Sequence, residues 1–97
     1  MPTYILLCNW TQQGIQNIKD SPSRLVKAKE LVKANGGQIK DFYMTMGQYD
    51  MVITVQAPND ETLAKSMLAI ASAGGVRSQT LRAFPEGEYK EIIGGLP

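Results

Sequence analysis

The sequence predicts an α+β domain with the element order βαββαβ and a short C-terminal helix, its four strands forming one antiparallel sheet. Three observations lead there. Four runs of large apolar and β-branched residues are too short for typical helices. Two longer segments repeat apolar residues at helical spacing, and each closes on Gly-Gly. The second and third apolar runs flank Gly47-Gln48, the signature of a tight hairpin.

Taken in order, Thr3–Trp10 (TYILLCNW) reads as the first strand. Thr11 to Lys19, with Ile15 and Ile18, reads as a helical turn or an ordered loop. Ser21 followed by Pro22 starts a helix, because proline at the first helical position loses only an amide that has no partner there. Leu25, Ala28, Leu31 and Val32 form its apolar stripe, and Gly36-Gly37 stops it. The hairpin spans Gln38–Met46 and Tyr49–Ala57. After Pro58, Asn59 or Asp60 caps a helix bearing Leu63, Met67, Ile70 and Ala71, which Gly74-Gly75 ends. Val76–Phe84 is the fourth strand, and PEGEYKEII offers a terminal helix with Tyr89, Ile92 and Ile93 on one side. This order is the split-βαβ plait of ferredoxin-like domains.

A two-residue Gly47-Gln48 loop would suit a type II′ turn and pair Thr45 with Asp50 and Tyr43 with Val52. Cross-strand partners share a face. Met44, Met46, Tyr49, Met51, Phe42 and Ile53 then fall on one face, suited to lie under the helices. Tyr43, Thr45, Asp50, Val52, Asp41 and Thr54 fall on the other. The first strand is apolar on both sides, with Tyr4, Leu6, Cys8 and Trp10 facing one way and Ile5 and Leu7 the other. Helices on one side leave the second apolar set in water, so the expectation is a homodimer through sheet faces. Such an arrangement can leave a pocket where the sheets diverge.

The chain has 97 residues, 43% of them hydrophobic and 20% charged, with a net charge of +1. That is one domain, residues 1–97, of ordinary globular composition. No apolar run approaches the roughly 20 residues of a bilayer span, and the N-terminus lacks a secretory pattern, so cytoplasmic residence is expected. One cysteine, Cys8, and no histidine remove the usual transition-metal ligand sets and the Ser-His and Cys-His nucleophile pairs. No carboxylate spacing suggests a magnesium or calcium site, and no cofactor is expected. Lys19 to Lys40 holds six basic residues against Asp20 and Glu30, which reads as a solvated helix face. A nucleic-acid site would interleave aromatics with a denser basic face.

MGQYDMVITVQAPNDETLAK and GGVRSQTLRAF resemble the GYD-domain family, as does YILLCNWTQQGIQNIKDSP, so the resemblance covers nearly the whole chain. It implies membership of the dimeric α/β-barrel superfamily and carries no assigned activity. Gly47, Tyr49, Asp50, Gly75, Val76 and Thr80 also resemble the effector-binding domain of leucine-responsive regulators. There, amino acids bind between dimers that assemble further. The helix-turn-helix module of those regulators has no counterpart in this sequence. Other superfamily relatives are cofactor-independent monooxygenases, isomerases and decarboxylases, many of which use a histidine that this chain lacks.

Each candidate residue carries two readings. Asp50 is a ligand-binding or general-base carboxylate, or it accepts hydrogen bonds that fix the hairpin, and the second is favoured. Gly47 serves turn geometry or lets a ligand approach. Tyr49 is a core or interface aromatic before it is a ligand contact. Tyr43, beside Asp50 on the mixed face, makes a structural hydrogen bond or moves a proton. Trp10 anchors an interface or walls a ligand pocket. Thr80 shares a face with Ser78 and Arg82, and Arg82 holds either an ion pair or a carboxylate ligand. Cys8 reads as a small buried hydrophobe. The leading expectation is a non-catalytic oligomeric module that binds a small amino acid or carboxylate near Gly47–Asp50. The alternatives are a cofactor-free enzyme on a small aromatic or carbonyl substrate, with Asp50 as base, and a purely structural assembly protein.

Overall fold

The computed structural model describes all residues from Met1 to Pro97. The elements are β1 (Thr3–Trp10), α1 (Gln12–Gln16), α2 (Ser21–Ala34), β2 (Gln38–Met44), β3 (Met51–Gln56), α3 (Asp60–Ser72), β4 (Val76–Ala83) and α4 (Glu86–Gly94). A single 3₁₀ turn, Ile18–Asp20, joins α1 to α2. The strands form one antiparallel sheet in the order β2-β3-β1-β4. With α2 and α3 on one face, this is the βαββαβ plait.

Local chemistry sets the helix boundaries. Pro22 stands in the first turn of α2, and Gly36 at φ +85° lets the chain leave it. Asn59 accepts from the Thr62 amide at 2.9 Å while the Thr62 hydroxyl receives the Asn59 amide, a reciprocal cap that opens α3. Thr11 caps α1 by accepting from the Gly14 amide at 3.1 Å.

The register assigns the two sheet faces. Leu6 lies opposite Ile53 on one side and Thr80 on the other, and Cys8 lies between Met51 and Ser78. Tyr4, Leu6, Cys8, Met51, Ile53 and Val55 are buried beneath the helices, where Val32 and Leu63 meet them. A bulge at Lys40 breaks the β2–β3 ladder between Ile39 and Asp41. The extra residue resets the strand's phase, so Ile39 and Phe42 both pack against the core although three positions separate them. The opposite face carries Ile5, Leu7, Val52, Thr54, Tyr43, Gln79 and Leu81.

The expected two-residue turn does not form. Six residues, Thr45 to Asp50, connect β2 and β3, with Gly47 at φ +147°. The predicted register holds from Phe42–Ile53 to Met44–Met51, and the Thr45 amide still donates to the Asp50 carbonyl at 2.8 Å. Beyond that, β1 competes for Asp50 and opens the loop. The expected apolar face is corrected accordingly. Phe42, Met51 and Ile53 pack under the helices, whereas Met44 is 67% and Met46 97% exposed.

Candidate functional site

The seven residues singled out from the sequence occupy three separate places. Asp50 and Trp10 meet at the end of β1. The Asp50 amide donates to the Cys8 carbonyl at 2.9 Å and to Asn9 Oδ1 at 3.0 Å. The Asp50 carboxylate accepts from the Trp10 amide at 3.0 Å through Oδ2. Thr45 donates its hydroxyl to the Tyr49 carbonyl at 2.6 Å. A short carboxylate side chain thus replaces a strand partner for Trp10 and continues the β1–β3 ladder through the loop. Gly47 lies exposed at the loop tip with open space where a Cβ would stand, so its conformation alone calls for glycine.

Tyr49 turns away from the helices. Its hydroxyl donates to Gln79 Oε1 at 3.1 Å, and Gln79 pairs with Leu7 on the open face. Tyr43 stands on that same face, 60% exposed. The recorded partners of Asp50 all lie on β1 and Thr45, so no Asp50–Tyr43 hydrogen bond forms.

Thr80 and Arg82 fall on the helix side of β4, opposite Leu6 and Tyr4, on the face away from the Tyr49–Gln79 bond. Arg82 stacks over the rings of Phe84, at 4.5 Å, and Tyr4, at 5.7 Å, and pairs with Glu88 of α4 at 3.6 Å. The favoured ion-pair reading describes this geometry. Tyr4 donates its hydroxyl to Asp60 at the start of α3, and burial together with that bond raises the phenol above its ordinary value.

A predominantly apolar hollow lies elsewhere, between α2, α3 and the sheet. It is an open-mouthed cleft of about 200 Å³, lined by Leu6, Cys8 and Met51 of the sheet and by Leu25, Ala28 and Ile70 of the helices. The helices are joined at one end, where Asn35 donates to Ser66 at 2.8 Å beside buried Val32 and Leu63. They diverge toward the N-terminal end of α2. Ser21 lines that end, its Oγ accepting the Trp10 indole N–H at 3.3 Å. Burial pushes the Cys8 thiol up to about 11, which keeps it protonated at neutral pH.

The wide end is held by backbone contacts that sequence reasoning missed. The Thr11 amide donates to the Gly75 carbonyl at 3.1 Å, and the Thr11 hydroxyl to the Gly74 carbonyl at 2.5 Å. A Cβ on Gly14 would stand 2.0 Å from the Gly75 oxygen, so α1 docks there only as glycine. Arg24 donates to the carbonyls of Asn17 at 3.0 Å and Gly14 at 3.3 Å. The proximity of Gly14 to Gly74-Gly75 has no local sequence signal.

No helix is long and apolar enough to cross a membrane, and no cluster of three or more Cys, Asp or Glu side chains could hold a metal ion.

Comparison with solved structures supports the plait independently. A feast-or-famine regulatory protein from M. tuberculosis complexed with L-methionine superposes with a TM-score of 0.66 at 15% identity, covering 88% of this chain and 51% of that one. The leucine response regulatory protein of Mycobacterium tuberculosis gives 0.65 at 15%, covering 87% and 51%. This chain therefore spans about half the length of those regulators, and at such identity the likeness is one of fold. A Thermus thermophilus protein of solved structure matches over 88% of this chain and 95% of its own, at 26% identity and a TM-score of 0.56. In sequence, a glutamine synthetase and cystathionine beta-lyase binding protein from Thermus thermophilus is 36% identical over 86 residues, which is 88% of this chain and 90% of that protein. The GYD domain profile matches residues 4–93, and this chain belongs to the GYD domain family.

Proposed function

We propose that the protein is a non-catalytic binding module that associates with itself through the open face of its sheet, responds to a small carboxylate ligand such as an amino acid, and docks on larger metabolic enzymes. One observation carries this reading. Ile5, Leu7, Val52 and Leu81 form an apolar surface across three strands, flanked by Tyr43 and Tyr49, and no element of the chain covers it. Contiguous apolar surface of this kind marks an interaction site. Tyr43 and Tyr49 would line a ligand space between two such faces, with the Gly47–Asp50 loop at its rim. The enzyme-binding part draws on the Thermus relative, whose name assigns it glutamine synthetase and cystathionine beta-lyase as partners.

The geometry of Asp50 favours this reading over the enzymatic one. Its carboxylate is engaged by the Trp10 amide and does not line the hollow beneath the helices. Native mass spectrometry of the purified chain tests self-association. We expect an even-numbered oligomer for the native chain and a folded monomer for Leu7→Lys. Titration into purified glutamine synthetase and cystathionine beta-lyase from the same source should give co-migrating complexes. A native monomer that binds neither enzyme would refute the proposal.

A further inference from the structure

The hollow between α2, α3 and the sheet plays no part in that reading, and it has the character of a binding site in its own right. Its size is the first argument. Apolar cavities of about 150 Å³ hold a benzene ring, and this one measures about 200 Å³. Its walls are the second. Fourteen of its eighteen lining residues are hydrophobic, and Phe42, Met51 and Met67 offer the ring-edge and sulfur contacts that favour a flat aromatic body.

The charge at its edge is the third argument and fixes the ligand's head group. Arg24 and Lys27 both line the hollow, and no Asp or Glu does. Arg24 is half-buried and donates to two backbone carbonyls, which leaves its positive charge without a carboxylate partner. Both ion pairs of the chain lie elsewhere, at Arg82–Glu88 and Lys90–Glu86. A cation held at the lip of a low-dielectric space attracts an anion more strongly than a fully solvated one does. Ser21, already receiving the Trp10 indole N–H, can turn its own hydroxyl proton toward the same anion.

We propose that this cleft binds a small aromatic monocarboxylate, with the ring against Cys8, Phe42 and Ile70 and the carboxylate at Arg24, Lys27 and Ser21. The site is distinct from the inter-subunit space assigned above. It needs neither self-association nor an enzyme partner.

The probe is sodium phenylacetate, compared with neutral phenylacetamide, each titrated into the full-length chain and followed by amide and methyl NMR. We expect saturable shifts at Leu6, Leu25, Ala28 and Ile70, and about tenfold tighter binding of the acid than of the amide. Ala28→Leu fills the cleft and should abolish binding while leaving the melting temperature equal or higher. Arg24→Gln should erase the preference for the acid. If that variant fails to fold, exposed Lys27→Gln should weaken acid binding by about two- to threefold. Equal binding of acid and amide overturns the proposal, as does a marked loss of stability in Ala28→Leu, which would mean that the cleft is closed in solution. Shifts confined to Tyr43 and Gly47–Asp50 overturn it too, while supporting the inter-subunit ligand site. Concentration-dependent shifts at the cleft residues without probe would place the apolar side of a second copy's α4 there instead.

Discussion

The two ends of the helix layer are built by different means. At one end, Val32, Leu63 and Ser66 are almost fully buried, and the Asn35–Ser66 hydrogen bond ties α2 to α3. At the other, Leu25, Ala28, Met67 and Ile70 are only half-buried, and the Thr11 amide and hydroxyl, donating to the Gly75 and Gly74 carbonyls, hold the chain together instead. The closed end derives its stability from apolar burial. The wide end gives up part of that burial and retains a hollow floored by Cys8. Local stability differs within a domain in this way, and binding regions come from its weaker part.

The contrast can be broken most severely at the closed end. Leu63→Ala should cost about 2–5 kcal/mol of unfolding free energy in urea denaturation, since a well-packed site cannot collapse around the lost atoms. Titrating the floor of the hollow tests whether the wide end is dry. The folded Cys8 thiol sits near 11, above its ordinary value of 9.0. Stability is therefore complete below pH 9, where both states are protonated, and falls as pH rises toward 11 because only the unfolded thiol ionises. The loss should reach about 2–3 kcal/mol and be absent in Cys8→Ala. The raised Tyr4 phenol acts in the same direction at still higher pH and is common to both proteins.

Two smaller effects sharpen the comparison. Asp50→Ala strips the Trp10 amide of its acceptor and should cost about 1–3 kcal/mol, and Asp50→Asn, which keeps a carbonyl oxygen, should restore most of it. A full loss in Asp50→Asn would instead point to a need for the charge itself. Leu25→Ala should cost no more than about 1 kcal/mol, because its side chain already borders empty space. A penalty as large as that of Leu63→Ala would show that the two ends are equally packed.

What could be read in the sequence follows the range of the interactions involved. TYILLCNW, the Ser21-Pro22 start and a cap at Asn59 or Asp60 act within a few residues, and each element formed where they placed it, with Asn59 as the cap. The Gly47 loop departed from its expected turn because the partners of Asp50, on Cys8, Asn9 and Trp10, lie about forty positions away. The phase of β4 was open until pairing set Arg82 opposite Tyr4. The Lys40 bulge and the divergence of α2 from α3 have no local signal, so the hollow was not foreseen. The sequence favoured Trp10 as an interface anchor and Asp50 in an architectural role, and the seven residues it singled out do not converge.

The strand order β2-β3-β1-β4 has a consequence for synthesis. Of the four strands, β1 is translated first, yet both of its neighbours lie downstream, and its ladder with β4 joins Thr3 to Ala83. While β2 and β3 close as a local hairpin on the ribosome, β1 waits with an unpaired apolar edge until almost the whole chain has emerged. Distant pairings of this kind form slowly and leave nascent chains prone to association. Translation products that stop before Val76 should therefore depend on chaperones, and those that include Ala83 should not.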